Sequence, residues 1–118
     1  MITDELKTLV ATYIKDNLFD SAKIGLGGNS TNPIADDLDV PLSAISLTLA
    51  NGGLVLTKSD LNVLEVKVSV AGNSIQGQVI REVGLFNGSD MVYRANFDGV
   101  GPFSTTDTLE LFILLEVE

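Results

Sequence analysis

The residue types that carry most enzyme chemistry are missing from this sequence. Its 118 residues include no cysteine and no histidine. That removes thiol nucleophiles, thiolate metal ligands, the commonest general base and the usual physiological pH switch. A few charged side chains remain. Asp36, Asp37 and Asp39 put three carboxylates close together, a composition that suits a hard cation but lacks the ligand spacing and fixed glycine of a calcium loop. Arg81 and Glu82 are neighbours in an extended run, so they point to opposite faces of a strand and do not act together on one substrate. Glu82 and Arg94 fall on the two arms of one hairpin, where a cross-strand ion pair is expected. A glycosidase needs two carboxylates fixed on either side of a groove, and no spacing here places two acids that way. The run Gly27-Gly-Asn-Ser-Thr-Asn-Pro33 is glycine-rich, but it has no P-loop lysine and no helical pattern follows it. It reads as a wide turn. The expectation is no catalytic residue, no cofactor and no metal, so the protein is not expected to be an enzyme.

Composition sets the frame for these residues. The formal net charge is −9. An acidic chain is a poor partner for a nucleic-acid backbone or an anionic membrane surface, and the charge reads as a solubility feature. Apolar residues make up 45% of the chain, enough for one domain with a core of its own. No apolar run reaches the roughly 20 residues of a membrane span. The opening Met-Ile-Thr-Asp-Glu lacks a basic region and an apolar region, so no signal peptide is expected. Asn29-Ser30-Thr31 and Asn87-Gly88-Ser89 match the glycosylation acceptor pattern, without a secretory signal to give it an occasion.

The hydrophobic pattern defines the elements. Ile2, Leu6, Leu9, Val10, Tyr13, Ile14 and Leu18 recur at helical spacing and predict a helix over 3–19, with Thr3 as N-cap and Asp4 and Glu5 in the first turn. Its apolar stripe is expected to pack on the sheet of the same domain, or on a helix of a neighbouring subunit. Strands are expected at 22–26, 45–49 and 54–57, with Lys58-Ser59-Asp60 as a turn. A longer strand follows, in which Leu64, Val66, Val68 and Val70 alternate with Glu65, Lys67 and Ser69. One wet face and one dry face mark an antiparallel sheet.

Residues 75–97 organise the rest. Gln78 to Phe86 and Met91 to Phe97 read as two strands of a hairpin, with a turn across Asn87 to Asp90 containing Asn87-Gly88. Met91, Tyr93, Ala95 and Phe97 are expected on one face, Val92, Arg94 and Asn96 on the other. Gly84, in the middle of a strand, marks a bulge or a close approach of another backbone. Residues 98–107 read as a loop carrying Val100 and Phe103, which tuck under the sheets or meet another subunit. The last strand, 108–118, is apolar on both sides at Phe112 and Leu114 and so expects cover on both, from the helix or from a second subunit. Val100, Phe103, Phe112 and Leu114 are therefore the candidate subunit contacts. The fold class is mainly β (α+β): a single domain over 1–118, with an N-terminal helix (1–20) followed by an antiparallel β-sandwich (21–118).

Several of these segments, taken in order, resemble a known family. Ile80-Arg-Glu-Val-Gly-Leu-Phe86, a short turn and Val92-Tyr-Arg-Ala-Asn-Phe97 are similar to the E-[VIL]-G-L-[FY] … R-A-x-F signature of small tail-collar fibre and tail structural proteins of tailed bacteriophages and related archaeal viruses. Upstream, Lys23-Ile-Gly-Leu-Gly-Gly-Asn-Ser-Thr-Asn-Pro33 and Ala35-Asp-Asp-Leu38 resemble the family's H-[IV]-A-[VL]-G-x-G-x-x-x-P-x-x-x-D-x-x-L pattern, with Lys23 where the family commonly has His or Tyr. The order of motifs extends over essentially the whole chain. The resemblance implies structural roles for Glu82, Gly84, Phe86, Arg94 and Phe97. It also implies a virion structural protein, made in a host cytoplasm and built into a tail, baseplate or fibre attachment. Its partners would be other virion tail or fibre proteins and copies of itself, a trimer suiting a fibre base. The alternatives are a capsid decoration protein and a carbohydrate-binding fibre module. The latter needs exposed aromatics, and Tyr13 and Tyr93 are both expected to be buried.

Overall fold

Thr3 opens the helix. Its hydroxyl accepts the Leu6 amide at 3.3 Å, and Asp4 and Glu5 occupy the first turn, where the helix dipole favours acids. Helix α1 spans Asp4–Asn17. The computed structural model describes residues 1–28 and 36–117. The greater part of the glycine-rich loop, with Asn29-Ser30-Thr31, lies outside the described residues.

Among the described residues seven strands follow: β1 Ser21–Gly25, β2 Leu47–Thr48, β3 Leu54–Asp60, β4 Val63–Ala71, β5 Ile80–Asn87, β6 Asp90–Val100 and β7 Thr108–Glu116. They form two antiparallel sheets, one in the order β2-β1-β5-β6 and the other β3-β4-β7. The sheets pack as a sandwich, in agreement with the fold class expected from the alternating runs. Ala22, Ile24, Val83 and Leu85 from the first sheet meet Leu64, Val66, Val68 and Leu109 from the second in one buried cluster. β4 supplies the period-two pattern expected of it, with Leu64, Val66, Val68 and Val70 buried in alternation.

Local chemistry moves several boundaries. β2 is two residues long rather than five because the Asn51 side chain takes over the backbone groups beside it. Asn51 Oδ1 accepts the amides of Thr48 and Gly53, and its Nδ2 donates to the Ser46 carbonyl; such local bonds compete with the ladder. Lys58, Ser59 and Asp60 belong to β3, and the turn falls one step later, where Asp60 Oδ1 accepts the Leu61 amide at 2.7 Å. The turn between β5 and β6 is two residues, not four: Asn87 pairs with Asp90, leaving Gly88 and Ser89. Of these two, Gly88 has positive φ (61°) and Ser89 does not, the pattern of a type II′ turn.

The helix stripe packs inward only in part. Ala11 is fully buried, and Ile14 and Leu18 join the core. Leu6, Leu9, Val10 and Tyr13 remain exposed, Leu9 and Tyr13 each at 59%. The small Ala11 side chain lets the helix settle against β3 and β4, and that orientation turns the other apolar residues to water. Because α1 lies on β3 and β4, it gives no cover to the outer side of β7. Phe112 and Leu114 stand 58% and 68% exposed there.

Candidate functional site

Of the residues singled out by sequence, Lys23, Glu82, Gly84, Phe86 and Arg94 come together on the outer face of the β1-β5-β6 sheet. Strand register sets them in rows: Lys23, Gly84 and Arg94 abreast in one, Gly25, Glu82 and Asn96 in the next. The described residues between β1 and β2, 26–28 and 36–46, lie alongside β1 and this face, and Leu38 among them is buried. The Leu26 amide bonds the Val40 carbonyl and the Leu42 amide the Ile24 carbonyl.

Glu82 holds these residues in place. Its side chain is fully buried. Oε2 accepts the amides of Gly27 and Val40, each at 2.8 Å, and Oε1 accepts the Asp39 amide at 2.8 Å. A buried carboxylate is tolerable only when hydrogen-bonded, and bonds from amides to an ionised acceptor are the stronger kind. Gly25 and Gly27 make the approach possible. A Cβ on Gly25 would stand 2.5 Å from Glu82 Oε2 and 2.6 Å from the Val40 carbonyl oxygen; one on Gly27 would stand 2.7 Å from the same carboxylate oxygen.

This arrangement replaces the ion pair expected between Glu82 and Arg94. Across the hairpin Glu82 faces Asn96, and Arg94 faces Gly84 two residues along, so the carboxylate turns to the loop amides instead. Gly84 makes room for side chains rather than for another backbone. A Cβ there would lie 3.0 Å from the Phe86 ring, 3.2 Å from Leu38 and 3.2 Å from the Met91 sulfur. Met91 sits on this outer face, not with Tyr93, Ala95 and Phe97, because the register slips between Leu85 and Phe86. Phe97 and Tyr93 pack against the main core, as does Phe103 from the loop after β6. Val100 ends β6 and is exposed.

Lys23 adds a second tie. Its Nζ lies 4.7 Å from the Phe86 ring centroid and 3.4 Å from the Asp37 carboxylate. Asp37 also accepts the Leu38 amide at 2.8 Å. Among the described residues no group of three acids is placed to hold a metal ion. Asp36 is exposed, and Asp39 reaches Glu82 through its amide. The hairpin tip is fastened to the helix end, with the Gly88 amide donating to Asp20 Oδ2 at 2.9 Å and the Asp20 amide to the Phe86 carbonyl.

Sequence reasoning missed the three amide donors, since a backbone N–H carries no residue signature. The available signal was an acid inside an apolar strand together with two glycines in and after β1. The expectation that Tyr13 is buried is overturned by its place on the outward side of α1. Compared with family models, curated proteins and solved structures, the chain matches none. No described helix is long and apolar enough to cross a membrane.

Chemically, the site is a clasp. Both oxygens of Glu82 are engaged by the protein's own backbone, and Phe86, Gly84, Leu38 and Met91 fill the space beside it. The other feature of the molecule is apolar surface left in water along α1 and on β7.

Proposed function

We propose that this chain is a virion structural subunit of a phage-like tail, baseplate or fibre attachment, acting by contact with copies of itself and with other virion proteins. The reading starts from the order of motifs described above. One structural observation favours it: the motif residues Glu82, Gly84 and Phe86 fasten the chain's own loop, while the unused apolar side chains point outward. Leu6, Leu9 and Tyr13 on α1 and Phe112 and Leu114 on β7 are exposed, and clustered exposed apolar residues are a common sign of protein contact surfaces. The test is to raise an antibody to the purified chain and locate it on purified particles by electron microscopy. Label at the tail or baseplate is expected. Label on the capsid shell would move the chain to a decoration role, and particles that assemble and infect without it would overturn the reading.

A further inference from the structure

Among the described residues four strands stand at sheet edges: β2 and β6 in one sheet, β3 and β7 in the other. Open edges invite pairing with another chain, and sheets blunt them by brevity, charge, proline, bulges or cover. β2 has two residues. β3 carries Lys58, slips register between Lys58 and Asp60, and lies against α1. β6 carries Arg94 and Asp98 and slips register twice. Among the described residues β7 has only the charges of Glu110 and Glu116 for protection. Its nine residue pairs with β4 run without a break, from Val63–Glu116 to Ala71–Thr108. It contains no proline, glycine or basic residue.

Two hydrogen bonds fix which backbone groups face the open side. The Val117 amide donates to the Asn62 carbonyl, and the Gly72 amide to the Asp107 carbonyl, both across the β4 side. Backbone direction alternates along an antiparallel strand. Residues 109, 111, 113 and 115 therefore bond to β4, and Thr108, Glu110, Phe112, Leu114 and Glu116 turn their N–H and C=O groups to the open edge.

From this we infer that β7 pairs with β7 of a second copy, antiparallel about a twofold axis at Phe112, joining two three-stranded sheets into one of six. The placement of charge selects the register. With the axis at Phe112, Phe112 meets its own equivalent, Leu114 meets Glu110 and Glu116 meets Thr108, so the whole strand pairs and no two acids oppose each other. An axis at Ile113 sets Glu110 against Glu116 in both halves, and like charges directly opposite destabilise a sheet. An axis at Leu111 leaves Glu116 overhanging. The same register places Leu111 beside Ile113 of the second copy and Leu109 beside Leu115, which covers the two core-facing leucines that one copy leaves half-buried. The contact is twofold and gives dimers, where the resemblance favours a trimer. It rests on strand geometry and the placement of charge and holds whether or not the chain belongs to a virion.

Amide exchange and sedimentation on the full chain test it. The wild type should sediment as a dimer, with the Glu110, Phe112 and Leu114 amides protected and released on dilution. Phe112→Lys opposes two lysines and should weaken association at least about tenfold. Leu114→Lys sets a lysine opposite Glu110 and should keep the dimer. Glu110→Pro removes an outward N–H while leaving Phe112 and Leu114 in place, and should also dissociate it. A monomeric wild type overturns the inference. So does a dimer whose Glu110, Phe112 and Leu114 amides exchange freely, a readout that needs no variant to fold. Association of Phe112→Lys and Glu110→Pro equal to wild type would overturn it too.

Discussion

Glu82 Oε2 and the Gly27 amide nitrogen lie 2.8 Å apart, joined across 55 residues of sequence. With the bonds to Asp39 and Val40, this contact makes one buried carboxylate the common anchor of Gly27, Asp39 and Val40 beside the outer face of the first sheet. The three bonds use both side-chain oxygens as acceptors, which sets the first prediction.

Glu82→Gln keeps the shape but can present oxygen at only one of the two carboxylate positions, so its NH2 group faces an amide donor. A loss of about 1–3 kcal/mol of unfolding free energy is expected. Glu82→Ala leaves three amides without their acceptor and should cost about 3 kcal/mol or more. Urea unfolding of the two variants checks the order.

The glycines beside the clasp separate steric from conformational cost. Gly25→Ala drives a methyl into Glu82 Oε2 and the Val40 carbonyl, and should lose about 2 kcal/mol or more. Gly52→Ala meets nothing within 4 Å but sits at φ 79°, and should lose only about 1–2 kcal/mol. Thermal melts of both, measured side by side, distinguish the two costs.

Phe86→Ala should cost about 3–5 kcal/mol, because the ring is buried against the space above Gly84 and beside Leu38 and Met91. Lys23→Met removes a partly exposed ion pair and a cation–π contact and should cost no more than about 1 kcal/mol. Chemical denaturation read by far-UV circular dichroism suits both, since the chain has no tryptophan.

On the helix, Leu9→Ser should change the stability of the isolated chain by less than about 0.5 kcal/mol, given its exposure. Ala11→Leu should cost about 1–3 kcal/mol by overfilling the contact with the sheet. If Leu9→Ser instead unfolds the protein, the outward orientation of the stripe is wrong.

How far the sequence could be read depends on whether the signal was periodic or positional. β4 and β7 announce themselves by alternation, and Thr3 by its capping chemistry, so the sandwich and the helix start were legible. The direction of the helix was not. Leu6, Leu9, Val10 and Tyr13 lie at core spacing, yet the buried contact is made by Ala11, whose small size sets how closely α1 approaches β3 and β4. Glu82 was visible as an anomaly in an apolar strand, but its partners were backbone amides on a distant loop. The slip between Leu85 and Phe86 moved Met91 to the other face, and alternation counting has no means of detecting a bulge.

The proposed role of this protein is to present surface to other copies and other proteins. Light scattering of the purified full chain over a wide concentration range tests it most directly. A mass that is a multiple of the 12.5 kDa chain, falling toward one chain on dilution, is the predicted result. A mass of one chain at every concentration would contradict it.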